Sequence, residues 1–190
     1  MRTTTGFLAA ASLAALLGAA AGPAPAQTRR ADWGVGIAAG AALPGGDAST
    51  TYKTGGSANA FILFPVSWGP SLGLGVRGDL HGTLMNAKPF DSITGEVRVV
   101  AWTGSLVLGL EAGNWRPFLA GGAGRYSLRF RTRYGEYEET ENEDDFGWSA
   151  GGGVAWQTSS VTLFLEVRYH RVSFSRAPFV MVPVSLGVAF

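Results

Sequence analysis

The sequence has 190 residues, one domain's worth once a leader is removed. It is 46% hydrophobic and only 15% charged, with 28 glycines, a formal net charge of +1 and no cysteine. That excludes a disulfide framework, a cysteine-based metal site or nucleophile, and a basic nucleic-acid-binding surface.

Met1 and Arg2 form a minimal positive region, and residues 7–21 are an Ala/Leu-rich apolar run. Ala24 and Ala26 supply small residues three before and one before a cut ahead of Gln27. This is the pattern of a cleavable signal peptide over residues 1–26, leaving a mature domain over 27–190. Past residue 26 no run of about 18 apolar residues occurs, so no membrane helix is expected in the mature chain.

From there the apolar pattern has period two, the repeat of strands. Strand one places Trp33, Val35, Ile37, Ala39, Ala41 and Leu43 on one face. Strand two, about residues 57–66, is apolar on both faces, with Ile62 and Phe64 expected outward. On strand three Leu72, Leu74, Val76, Leu80 and Leu84 oppose Arg77, Asp79, His81 and Thr83. Strand four, about residues 95–110, is again apolar on both faces; Val100, Trp102, Leu106 and Leu108 are expected outward, because Thr103 and Ser105 suit an interior. On strand five Phe118, Ala120, Tyr126, Leu128 and Phe130 are expected outward, with Arg125, Ser127 and Arg129 inward. Strand six opposes Trp148, Ala150, Val154 and Trp156 to Ser149, Gly151, Gly153 and Gln157. Strand seven opposes Val161, Leu163, Leu165, Val167 and Tyr169 to Thr162, Phe164, Glu166, Arg168 and His170. Strand eight places Val180, Val182, Val184, Leu186, Val188 and Phe190 on one face.

Tight turns at residues 68–70, 113–115 and 158–160 alternate with longer polar segments at 44–56, 85–94, 131–145 and 173–178. Short turns at one end and long loops at the other are the signature of an outer-membrane barrel. The expected fold is therefore all-β: an eight-stranded antiparallel up-and-down transmembrane β-barrel, with both termini periplasmic. A soluble barrel would show water a face rich in Lys, Glu, Asp, Asn and Gln. Here the non-apolar face is Gly, Ala, Ser and Thr with scattered charge, the composition of a filled interior.

The inward charged set is Arg77, Asp79, His81, Arg125, Arg129, Glu166, Arg168 and His170. Charge of both signs inside a narrow barrel fits a salt-bridge network that plugs the lumen, because buried charges must be paired. The competing function for the same residues is an ion path or a small-molecule site. A lipid-modifying enzyme would need a nucleophile, a base and an orienting acid near the lipid boundary. Ser173 or Ser175 with His170 and Glu166 are the nearest candidates, but they fall on different faces or in a loop, so no catalytic residues are assigned. Residues 136–145 hold half of the chain's 14 acidic residues. They lack the spacing of a calcium loop and read as a solvated loop tip, so neither metal nor cofactor is expected. The six tryptophans fall mostly near strand ends, as an interfacial girdle requires.

The closing stretch, residues 181–190 (MVPVSLGVAF), resembles the end of the outer-membrane β-barrel domain family, the small OmpA/OmpX-type barrels. Residues 115–126 (WRPFLAGGAGRY) and 163–169 (LFLEVRY) are similar to a turn-plus-glycine-rich strand and a penultimate strand of that family. The resemblance covers essentially the whole mature chain and is specific for fold rather than function. It implies that Val184, Leu186, Val188 and Phe190 form an assembly signal read by the barrel-assembly machinery. The partners expected are outer-membrane lipids and, during biogenesis, that machinery, with no nucleic acid and a monomeric barrel. The role expected is structural or surface-interacting, without enzymatic activity.

If that terminal signal operates, changing Phe190 to Asp should lower the amount of folded protein extracted from outer membranes while export and leader cleavage continue. Folded levels equal to wild type would remove Phe190 from the signal.

Overall fold

The structure is a computed structural model that describes residues 34–68, 71–88, 93–134, 137–173 and 178–190. The predicted signal peptide, Trp33 and Ser175 lie outside the described residues.

The described chain is one closed antiparallel sheet. Its strands are β1 (Val35–Gly45), β2 (Gly55–Trp68), β3 (Leu72–Asn86), β4 (Ile93–Leu110), β5 (Trp115–Tyr134), β6 (Tyr137–Gln157), β7 (Thr162–Ser173) and β8 (Pro178–Ala189), with one helical turn, α1 (Ala48–Thr51), between β1 and β2. Each strand pairs with its sequence neighbour. The ring closes where β1 pairs with β8, from Gly36↔Ala189 to Gly45↔Val180. Closure leaves no free edge, the condition for crossing hydrocarbon with strands. Gly113, at φ +67°, makes the β4–β5 turn that a side chain would strain.

The faces follow the period-two expectation on seven strands. Ile37 and Leu43 on β1, Ile62 and Phe64 on β2, Leu72 and Leu84 on β3, and Trp102, Leu106 and Leu108 on β4 all point outward and are exposed. So do Trp148 and Trp156 on β6, Leu163, Leu165 and Val167 on β7, and Leu186 on β8. On β4 this row runs over residues 100–110. At about 3.3 Å per residue and a tilt of about 40°, that row rises roughly 25 Å, the height of a barrel's apolar band.

Strand β5 is the exception, and its faces are the reverse of those expected. Phe118, Ala120, Tyr126 and Leu128 are buried inside, while Trp115 and Leu119 face out at 54% and 66% exposure. Arg125 and Arg129 also face out and are exposed. The physical reason is length. β5 and β6 have 20 and 21 residues, against the roughly 9–11 that a tilted strand needs to cross a bilayer. Their outer halves reach the edge of the apolar band and project beyond it, so that Arg129 meets headgroups or water directly and Arg125, level with Trp102, is within a long side chain's reach of them. The run Gly121-Gly122-Ala123-Gly124 between the two halves carries no face information.

The same projection corrects the long loop expected over residues 131–145. Those residues up to Tyr134, and again from Tyr137, are strand. Arg133 stands opposite Glu138, Arg131 opposite Thr140 and Ser127 opposite Asp144. The ion pairs of Arg133 and Arg131 with Glu138 and the hydrogen bond of Ser127 to Asp144 favour continuing the ladder over opening it.

Leu165 lies midway along β7 on the lipid face, 41% exposed. Arginine there should cost about 2–4 kcal/mol, because the charge must enter hydrocarbon or distort the bilayer. Urea unfolding in lipid vesicles measures this, and an unchanged stability would place Leu165 outside the hydrocarbon.

Candidate functional site

At mid-height the interior combines short side chains on β4, β6 and β8, such as Thr103, Ser105, Ser149 and Ser185, with long charged ones on β3 and β7. Gly151 and Gly153 on β6 lie beside Arg168 and Glu166 of β7. A Cβ at either glycine would strike the β7 backbone, so these glycines let the two strands and their charged side chains pack closely.

At the centre four charged side chains form a closed ring. Arg77 Nε lies 3.0 Å from Asp79 Oδ1, and Arg77 Nη2 lies 2.8 Å from Glu166 Oε1. Arg168 Nη2 lies 2.7 Å from Glu166 Oε1, and Arg168 Nη1 lies 3.2 Å from Asp79 Oδ2. Each carboxylate serves both guanidinium groups, and the ring is neutral. Asn59 Nδ2 donates to Asp79 Oδ1 at 3.1 Å, and Ser105 Oγ donates to Asp79 Oδ2 at 3.3 Å. The Arg77 guanidinium also sits 4.7 Å above the Phe61 ring, an arrangement that offsets part of the cost of burying it.

Two further layers flank the ring. Toward the short turns, Phe61 meets Phe164 edge-on at 5.5 Å, and Arg116 lies 3.0 Å from Glu111. Toward the other end, His81 and His170 stack at 5.1 Å. His81 Nε2 is hydrogen-bonded to Thr83 Oγ1 at 2.7 Å, and His170 Nδ1 to the Tyr126 hydroxyl at 2.8 Å. Above the histidines the interior becomes apolar: Met85, Val97, Val99, Leu128, Val172 and Met181 form a buried cluster. Ala48 of α1 is part of that cluster, and Tyr52, packed edge-on to Phe179 at 6.1 Å, lies against it. The space left beside the ring, lined by residues such as Asn59, His81, Glu166 and His170, is about 10 Å³, at the lower limit for one water.

Six of the expected interior residues, Arg77, Asp79, His81, Glu166, Arg168 and His170, are therefore brought together and buried. Arg125 and Arg129 are not part of this network. They stand on the outer face of β5, for the reason of strand length given above. Of the terminal residues, Leu186 and Phe190 are exposed on the outer face of the barrel, and Val184 and Val188 share that face half-buried. Sequence reasoning missed Asn59, Ser105 and Tyr126 as partners of the network. It also missed the apolar cluster, although the double-sided apolar run of β4 at residues 99–102 was its signal.

Among the described residues no group of three or more acidic, histidine or cysteine side chains could hold a metal ion. The acidic run instead lies along β6, with Glu139, Glu141, Glu143 and Asp145 on the inward-facing positions and Glu138 and Asp144 on the outward ones. Glu138, at the tip of the hairpin, accepts a hydrogen bond from Arg133 at 2.8 Å. That bond, aided by the charge of Arg131, holds its carboxyl below the usual carboxylate range.

The family model for the outer membrane protein beta-barrel domain matches residues 11–190. Among solved structures, the chain is similar to Neisserial surface protein A, at 16% identity and a TM-score of 0.56, covering 82% of this chain and 94% of that one. It is similar to Ail, the attachment invasion locus protein of Yersinia pestis, solved in complex with the heparin analogue sucrose octasulfate, at 13% identity, TM-score 0.55, and 82% and 96% coverage. It is also similar to the outer membrane enzyme PagL, at 12% identity, TM-score 0.53, and 82% and 98% coverage. No curated protein matches by sequence. At these identities the likeness is one of fold, and it spans proteins of unlike activity.

Replacing Glu166 with Gln should leave Arg77 and Arg168 short of a counter-charge and cost about 3–5 kcal/mol. Adding Arg168→Met to that variant should recover part of the loss, read as the urea midpoint in detergent. Equal losses in the single and double variants would mean that Glu166 and Arg168 are not energetic partners.

Proposed function

Because the chain belongs to the outer membrane protein β-barrel domain family, it is an outer-membrane barrel, and we propose that it works as a sealed, non-enzymatic anchor for the charged β5–β6 hairpin. The observation that carries this reading is the residual space of about 10 Å³ beside the charge ring. A hydrated ion needs a continuous path, and here an aromatic layer, a neutral ring and an apolar cluster follow one another. An acyl chain would find no entry from the lumen either. The chain has two histidines, and both are buried in the interior, engaged with Thr83 and Tyr126. A lipid-facing base for acyl transfer would have to come from another residue type.

Among the described residues the hairpin is the part of the barrel that reaches furthest past the apolar band, on the side opposite the short turns. In the barrel family's usual arrangement short turns are periplasmic and longer connections extracellular, so we place the hairpin outside the cell, available to surface contacts.

Purified protein in planar bilayers should give no stepwise conductance, and stable steps would make the pore reading the correct one. Lipid A from cells overproducing the chain should keep an unchanged mass spectrum; loss or gain of an acyl chain would restore the enzyme. The absence of cysteine makes orientation simple to test: Thr140→Cys should react with a membrane-impermeant maleimide on intact cells, and Ser159→Cys should not. The opposite labelling would invert the barrel.

A further inference from the structure

Above the apolar band the outward face of the sheet changes character within one residue pair. Val100 and Trp102 are the last outward apolar residues of β4, and the next is Arg98. Directly across from Arg98 stands Arg129 of β5. Both are exposed, and Arg98 is 53% so at its side chain. Arg125, lower on the same face of β5, is flanked by Trp102 on β4 and Phe146 on β6. Arg98 and Arg129 thus stand just past the last outward apolar residue, Val100, and Arg125 stands below them, level with Trp102 and Phe146.

Like charges directly opposite each other destabilise a sheet, so a retained Arg–Arg pair asks for a counter-charge. The protein supplies one to Arg98 itself and to the arginines nearer the tip, but not to Arg129. Arg133 and Arg131 lie 2.8 and 2.9 Å from Glu138, and Arg98 lies 2.9 Å from Glu96. Glu96 is itself shared with Arg131 at 3.7 Å. Asp144 lies diagonally between Arg125 and Arg129 and is hydrogen-bonded to Ser127. Among the described residues, Arg125 and Arg129 make no ion pair. On this face the outward cations are Arg98, Arg125, Arg129, Arg131 and Arg133, against Glu96, Glu138 and Asp144. Positive charge is therefore left over, and it is concentrated at the membrane boundary rather than at the tip.

We propose that Arg98 and Arg129, with Arg125 beneath them, bind the phosphate group of an outer-leaflet lipid headgroup. The phosphate lies between the two guanidinium groups, and its acyl chains run down past Trp102 and Phe146. Planar, multidentate guanidinium donors match phosphate oxygens better than any other side chain. The arrangement admits an anion fixed at the height of the headgroups, which a lipid provides and a soluble anion does not. The inference rests on the proposed placement of the hairpin outside the cell. Its test uses protein in detergent micelles, which have no sidedness, so a failure of orientation and a failure of the site read out separately.

Native mass spectrometry of the full barrel titrated with lipid A carrying its phosphates, and with dephosphorylated lipid A, measures the preference. Removing one charge-assisted hydrogen bond to phosphate should weaken binding by about tenfold or more, so wild-type protein should favour the phosphorylated form by at least that factor. The Arg98→Gln/Arg129→Gln variant should lose the preference, whereas Arg131→Gln/Arg133→Gln should keep it. Arg129→Gln alone, with an intermediate loss expected, serves if the double variant does not show the heat-modifiable migration of a folded barrel. No preference in wild type, or an equal loss in Arg131→Gln/Arg133→Gln, would overturn the site. Displacement of the lipid by inorganic phosphate at the same concentration would overturn the lipid as its ligand.

Discussion

Strands β3 and β7 stand on opposite walls of the ring, four places apart in either direction, and at mid-height four charged side chains join them. Arg77 and Asp79 come from one wall, Glu166 and Arg168 from the other, and the bridges across the lumen are 2.8 and 3.2 Å long. Taking four such groups out of water is costly unless each finds its partner, so the arrangement tolerates little else. The β6 residues beside Glu166 and Arg168 are glycines, and neutral donors on β2 and β4 fill the lone pairs left on Asp79. The width of an eight-strand barrel and this ring fix each other: a wider ring would break the cross-lumen bridges, and a narrower one would have no room for two guanidinium groups.

The longest hairpin separates its charges by face. Along β5 the arginines at 125, 129, 131 and 133 point away from the axis, while four of the β6 carboxylates point toward it. Period two thus produces a ribbon that is basic toward the membrane surface and acidic toward the mouth of the barrel. The acidic row runs down beside the apolar cluster, with Glu143 opposite Leu128 and Asp145 opposite Tyr126.

Strands β3 and β7 are legible from sequence because aliphatic residues recur on one face, and Arg77, Asp79, His81, Glu166, Arg168 and His170 all fall on the other. β5 misleads because only its lower half meets lipid. The rule that no charge faces outward lapses at the upper edge of the apolar band, where Arg125 stands opposite Trp102 and Arg129 lies just beyond. The odd-numbered apolar residues Trp115 and Leu119 already favour the other register. The run at 131–145 reads as a loop on polarity alone, although arginines and carboxylates at matched spacing are as good a strand pattern as aliphatic ones. Asn59 is hidden as a partner of the ring, since one amide on a strand apolar on both faces has no distinctive spacing, whereas Ser105 is legible as an interior residue but not as a donor to Asp79.

Within each of the two walls the ring is already balanced. Arg77 and Asp79 are two residues apart on β3, and Glu166 and Arg168 are two apart on β7, each pair in contact within its own strand. A nascent sheet holding only one of these strands therefore carries a dipole rather than a net charge. When the two walls meet, each neutral couple keeps its own pairing and adds the bridges to the other, so closure of the barrel does not have to neutralise a bare ion in oil.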